Sequence, residues 1–159
     1  MTGNEYRRLI AGYLHANYAE RGLQIYEEVP LGTSIIGKQR RVDLLVLHPP
    51  SSVALAVECK YQDSPGTVDE KIPYALQDLQ AMRMPGVIVY AGAGFSEGVL
   101  HLLQCSELAA YCLPGEDNEP TGRRTKDRID SGTWQLDHVI AQTFGWWEIV
   151  LQGRRRFVP

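Results

Sequence analysis

Cysteine is scarce in this chain: Cys59, Cys105 and Cys112 are the three among 159 residues. An odd, scattered trio supplies neither a disulfide framework nor the paired spacing of a zinc site, so the thiols read as reduced and the protein as cytoplasmic. Long apolar runs are missing as well. The stretch 53–57 is far too short to cross a bilayer, and Met1-Thr2-Gly3-Asn4-Glu5 leads to Arg7 and Arg8 instead of the apolar segment of a secretion signal. No membrane role is expected. Charge of one sign is also in short supply. A net charge of −3 offers no overall attraction for a polyanion. Repeats and low-complexity tracts are not visible. What remains is a 44% hydrophobic, 22% charged chain, long enough to bury a core as one domain over 1–159 without a structural metal.

The basic residues are unevenly spread, however. Ten of the sixteen fall in three clusters: Lys38/Arg40/Arg41, Arg123/Arg124/Lys126/Arg128 and Arg154/Arg155/Arg156. Each alone is a solvated loop or tail. Together on one face they would follow a phosphate backbone.

Periodicity supplies the order of elements. Tyr6, Leu9, Ile10, Tyr13 and Leu14 recur at helical spacing, behind a Thr2/Glu5 capping box and ahead of Gly22. A strand over 23–29 is expected to break at Pro30-Leu31-Gly32. Strands over 41–48 and 53–60, around Pro49-Pro50-Ser51-Ser52, predict a hairpin. Thr67 and Glu70 form a second capping-box pattern before a helix to about Met82, in which Pro73 either kinks the helix or marks its first turn. A strand over 87–91, a helix over 96–110, a short strand over 111–113, a mobile loop over 114–132 and a last strand or edge segment over 146–152 follow. Hairpin strands that then alternate with helices imply an α/β fold, a mixed sheet with helices on both faces.

Chemistry concentrates in Val42-Asp43-Leu44-Leu45-Val46 and Val57-Glu58-Cys59-Lys60. Asp43 interrupts an apolar strand. Glu58 and Lys60, two apart, point to one face of the next, and Cys59 to the other. Charges on buried strands are costly unless paired or metal-bound. Two carboxylates suit a hard cation such as Mg²⁺, with positions left for water and phosphate, and a neighbouring lysine can orient that water or offset developing negative charge. The alternative is a buried Asp43–Lys60–Glu58 ion-pair network, which contributes little net stability.

Asp43 followed by Glu58-x-Lys60, on successive strands behind a helix carrying Glu5, resembles the PD-(D/E)xK nucleases, whose core is a mixed four-stranded sheet flanked by helices. The likeness covers roughly 3–103. Lys60-Tyr61-Gln62 and 66–74 also resemble a segment of some restriction-like and phage-type members. Val42 stands where the family's name has proline. The resemblance implies a restriction-endonuclease-like fold and Mg²⁺-dependent cleavage of DNA, with Mn²⁺ able to substitute. Asp43, Glu58 and the Cys59 backbone carbonyl would be metal ligands, Lys60 would assist the attacking water, and Glu5 would reach the metal through water. Gln62, Lys71 and Gln77 are candidate nucleic-acid contacts, with Lys38, Arg40, Arg41 and Arg124 as phosphate contacts. Restriction-like members often dimerise, so a homodimer fits this reading. The competing reading is a catalytically silent, nuclease-like module that binds nucleic acid or a protein. An unrelated α/β enzyme acting on a small phosphorylated ligand would show a closed pocket instead of a groove.

Other signals are discounted. Gly92, Gly94 and Gly98 miss the dinucleotide spacing. His48 and His101 lack ligand spacing. Asp137-His138 reads as surface, and Trp146-Trp147 as core or interface.

Overall fold

The computed structural model describes residues 1–115 and 132–159. The elements follow the chain as helix α1 (Gly3–Tyr18), strands β1 (Gln24–Thr33), β2 (Gln39–His48) and β3 (Val53–Tyr61), helix α2 (Val68–Ala81), strand β4 (Gly86–Ala91), helix α3 (Glu97–Cys105), strand β5 (Ala109–Tyr111) and helices α4 (Trp134–Phe144) and α5 (Glu148–Leu151). The five strands form one sheet in sequence order. β2 runs antiparallel to both β1 and β3, whereas β3, β4 and β5 run parallel to one another. The result is a mixed α/β sheet with helices on both faces, as the sequence implied.

Alternation along the strands divides the core in two. Leu44, Val46, Leu55, Val57, Cys59, Val87, Val89 and Ala91 face Tyr6, Ile10, Tyr13 and Leu14 of α1 and Leu136 and Ile140 of α4. The opposite face carries Ile88 and Tyr90, which pack against Ile72, Ala75, Leu76 and Leu79 of α2 and Leu103 of α3. Burying each large aliphatic side chain contributes about 1.5–3 kcal/mol, so both layers are needed to hold the sheet.

The first face is pinned by a buried carboxylate. Asp137, fully inaccessible, accepts hydrogen bonds from the hydroxyls of Tyr13 (2.6 Å), Tyr18 and Thr133 (3.0 Å). This corrects the expectation of a surface site. It also ties α4 to α1.

α4 is not among the elements expected from the sequence, although Leu136, Ile140, Ala141 and Phe144 lie at helical spacing. An acid on the apolar stripe obscures that pattern. The expected strand over 146–152 is instead a turn leading into α5. Trp146 N donates to Ala141 O (3.0 Å) behind the left-handed Gly145, so the chain coils back before any strand partner is met.

Other boundaries move for identifiable reasons. β1 continues through Pro30, because it lies at the margin of the sheet, where a missing N–H is tolerated. Thr67 is helical (φ −80°, ψ −4°) and makes no side-chain cap; the first amide of α2, Val68 N, is met by Gln62 Oε1 at 3.1 Å. Pro73 lies inside α2, past its first turn. α3 stops at Cys105 because 109–111 pair with β4, two residues before the expected strand. The expected loop over 114–132 lies, apart from its ends, outside the described residues.

Asp137→Ala is expected to lower stability by about 2–4 kcal/mol, since three buried hydroxyls lose this acceptor. Urea unfolding with a lowered midpoint and an unchanged slope would show it. A midpoint equal to wild type would mean that the hydroxyls find water instead.

Candidate active site

The β2–β3 ladder runs from His48↔Val53 to Leu44↔Val57 and then stops. The next position on each strand is Asp43 and Glu58. The β1–β2 ladder skips one pair at the same place and resumes in the same register: Glu27 pairs with Leu44 and Val29 with Val42, while Glu28 between them takes a left-handed φ of +53°. Such a conformation costs a non-glycine residue of order 1–3 kcal/mol. Arg7 of α1 faces this strained point, with ion pairs to Glu27 (3.6 Å) and Glu28 (3.2 Å).

The break leaves the Cys59 amide without a ladder partner, and Asp43 supplies one: Cys59 N donates to Asp43 Oδ2 at 2.7 Å. Alternation puts Asp43, Glu58 and Lys60 on the α2 face of the sheet, opposite the buried Cys59 thiol. Lys60 Nζ donates to Glu58 Oε2 at 3.0 Å, with both side chains about one-fifth exposed. Burial raises the Glu58 pKa; the Lys60 ammonium opposes the rise, Asp43 adds to it, and the carboxyl ends above its ordinary value. Burial alone would lower the Lys60 pKa, but Glu58 and Asp43 outweigh it, so Lys60 remains an ammonium. It can donate to water or phosphate oxygen and cannot serve as a base in this state. Burial pushes the Cys59 thiol well up, helped by Asp43 and Glu58, so Cys59 can offer a cation its carbonyl but not a thiolate.

Glu58 and Lys60 open into a groove of about 410 Å³ between α2 and the arm formed by β1 and β2. Lys38, Arg40, Arg41, Lys71 and Tyr74 line it too. Arg40 is already committed: its Nε and Nη2 donate to Asp78 at 2.8 and 2.9 Å, and its Nη1 donates to Leu31 O at 3.1 Å. Lys38, Arg41 and Lys71 make no ion pair among the described residues. The structure therefore gathers Lys38, Arg40, Arg41 and Lys71 around Glu58 and Lys60.

Other predicted positions are engaged elsewhere. Glu5 completes its capping box, accepting from Thr2 N at 2.6 Å while its own amide donates to Thr2 Oγ1 at 3.2 Å. Gln62 is buried. Its Nε2 donates to Asp69 Oδ1 (2.9 Å) and Gly94 O (2.7 Å), and its Oε1 accepts from Val68. A Cβ on Gly92 would overlap the Gln62 carbonyl, which is why glycine is needed there. Gln77 is exposed and does not line the groove. Arg124 lies outside the described residues. Tyr74 and Asp78 were missed from the sequence. Asp78, an acid within the apolar Ile72/Ala75/Leu76/Leu79 stripe, was the available signal.

A family model described as a PD-(D/E)XK nuclease superfamily domain matches residues 2–147, nearly the whole chain. The chain belongs to the PD-(D/E)XK nuclease superfamily. The match extends well past the 3–103 suggested by motif and element order, and takes in α4. No curated protein matches the chain. A solved structure of a protein of unknown function, AF1548, is similar over 62% of this chain and 52% of its own, with 15% identity and a TM-score of 0.41. The chain spans about half that protein's length.

PD-(D/E)XK nucleases typically use divalent metal ions, and the donor set here can be tested for fit. Among the described residues no three His, Cys, Asp or Glu side chains gather as a cage. Two carboxylates that repel each other in a half-buried site are what is present. That suits a Mg²⁺-like ion, which takes one or two carboxylates and keeps water and phosphate oxygens, better than a closed zinc or calcium site.

A carboxyl whose folded-state pKa lies above its unfolded value binds its proton more tightly in the folded protein. That contribution is full below the ordinary carboxylate range and is lost as pH rises through the elevated Glu58 pKa. Metal-free wild type should therefore lose stability across this window. Glu58→Gln should flatten the loss and melt above wild type at pH 7. Mg²⁺ at ten times its dissociation constant should stabilise wild type by about 1.4 kcal/mol and leave Glu58→Gln unmoved. Thermal melts across pH, with and without Mg²⁺, measure both. An identical pH slope in the variant would exonerate Glu58.

Proposed function

We propose that this PD-(D/E)XK protein is a metal-dependent deoxyribonuclease acting within DNA strands in a reducing, cytoplasmic setting. The observation that supports it most is the end of the β2–β3 ladder at Asp43, beyond which Glu58 and Lys60, with Asp43 behind them on the Cys59 amide, open into a groove lined by cations.

In this reading Asp43, Glu58 and the Cys59 carbonyl hold Mg²⁺, with Mn²⁺ able to replace it. When bound, the ion supplies Lewis acidity toward phosphate and lowers the pKa of a bound water. The residues of the chain do the rest. Asp43, fixed by the Cys59 amide, and Glu58, fixed by Lys60, present their oxygens from adjacent strands without reorganisation. Lys60 donates to the attacking water or to the phosphate oxygens as negative charge builds. Lys38, Arg41 and Lys71 neutralise phosphates on either side of the scissile bond. Arg40, held by Asp78, orients the arm. Glu5, Gln62 and Gln77 take no part, because the first two are spent on structure and the third faces away from the groove.

The test is cleavage of circular, linear and single-stranded DNA in Mg²⁺, Mn²⁺ or EDTA. Circular DNA should be opened with either metal and remain intact in EDTA. Asp43→Ala and Lys60→Ala should each lower the rate by at least about 10²-fold while the protein stays folded by circular dichroism. Undiminished cutting by both variants would place the chemistry elsewhere. Metal binding without any cutting would leave a nuclease-like binding module.

The groove cations make a separate prediction. Lys38→Ala or Arg41→Ala should weaken DNA binding about equally for unrelated sequences, and should reduce the slope of log affinity against log salt by about one each. Titrations at several salt concentrations would show an unchanged slope if these side chains do not meet phosphates.

A further inference from the structure

The turn joining β1 to β2 carries two isoleucines where polar residues are the rule. Ile35 is 45% exposed and Ile36 is 58% exposed. A frayed loop would explain this, but the tip is firmly built. Ser34 N donates to Lys38 O (2.7 Å), Gly37 N to Ser34 O (2.9 Å) and Lys38 N to Ser34 Oγ (3.3 Å), and Gly37 supplies the left-handed residue (φ +77°). The turn is also fastened to α2. Asp78 accepts from Ile35 N at 2.9 Å and takes both Arg40 bonds. A rigid tip thus holds aliphatic side chains in solvent.

The two side chains part company. Ile35 lies over a neighbouring hollow with Pro30, Leu31 and Met82. Ile36 lines the same groove as Glu58 and Lys60, beside Lys38 and Arg41. We propose that Ile36 is a wedge that packs against the face of an unstacked DNA base next to the scissile phosphate, and that it directs the site to distorted or unpaired DNA. This rests on the nuclease reading above.

The chemistry of the groove favours a nucleic acid over an apolar protein segment. Lys38, Arg41 and Lys71 line this groove with Ile36 and make no ion pair among the described residues, whereas its acids Glu58 and Asp78 are paired with Lys60 and Arg40, so its complement is anionic along its length and apolar at intervals. DNA has that alternation. Phosphates would take the cations, but an aliphatic side chain gains nothing from a phosphate. It gains from a base face, and in regular duplex every base face is covered by its neighbours. Contact therefore requires a step that is already open, or one that is opened by insertion of the side chain between bases.

The experiment uses the full chain in EDTA, so that binding is read without metal-dependent cutting. Probes of one sequence are an intact duplex and a duplex with a single bulged nucleotide, 2-aminopurine. Wild type should bind the bulged probe about tenfold more tightly than the intact one, as burial of one aliphatic side chain on a base allows, and should change the 2-aminopurine emission. Ile36→Ser removes exposed carbon atoms and should fold normally. Its preference should fall to about twofold or less, with affinity for intact duplex nearly unchanged. Lys38→Ala should weaken both probes by one factor and keep the preference. Equal binding of both probes by wild type, or a preference retained in Ile36→Ser, overturns the wedge. So does a change of oligomeric state in Ile36→Ser with the preference intact, which would make the tip a contact between copies of the chain. Wild type that cuts DNA but shows no preference sinks this inference alone. Wild type that neither binds nor cuts any DNA sinks the nuclease reading with it.

Discussion

The amide of Cys59 and the carboxylate of Asp43 hold the arrangement together. A buried strand cannot leave an N–H unsatisfied without a cost of about 1–3 kcal/mol, and at Cys59 the neighbouring strand has already peeled away. A side-chain oxygen meets the amide instead of a backbone carbonyl. This substitution lets β2, still paired with β1, part from β3 while β3 stays paired with β4. It also fixes the carboxylate on the face from which Glu58 and Lys60 enter the groove. Separation of the strands, orientation of the acid and access to the groove are one event in the backbone.

The two faces of the sheet are then free to differ. On the α1 and α4 side, hydroxyls converge on Asp137 and the packing is closed. On the α2 side the apolar layer is smaller, and Tyr74 and Asp78 of α2 line the groove beside it. Asp78 joins the arm to α2, so the groove is bounded by two elements held at a fixed separation. An ion pair of this kind adds little stability; here its three hydrogen bonds, two from Arg40 and one from the Ile35 amide, tie the arm to α2.

Much of this was legible in the chain, and the parts that were not share a cause. Asp43, Glu58 and Lys60 stood out because charges in β-branched, apolar runs have few structural uses. The hairpin followed from its short connection and β4 from its β-branched run, whereas α2 was marked by a Thr67/Glu70 pattern that forms no side-chain cap. α4 escaped because its apolar stripe contains Asp137, whose tyrosine partners are some 120 residues away in sequence. Gln62 was assigned to the site because it follows Lys60 closely, yet the turn after β3 sends it inward to satisfy the start of α2. The arm was cut short at Pro30 by a rule that applies to strands with two neighbours. In each case a local pattern was overridden by a contact that only the folded chain supplies.

β1 has β2 on one side and, among the described residues, no strand on the other. Its outer margin carries Glu28 in a left-handed twist and Pro30 without a donor. An extended segment from a second chain would meet a kink and then a missing hydrogen, and could not zip along it. The same irregularities that open the groove thus guard the molecule against runaway cross-chain pairing, so this enzyme-like scaffold should tolerate high concentration without forming fibrils through that margin.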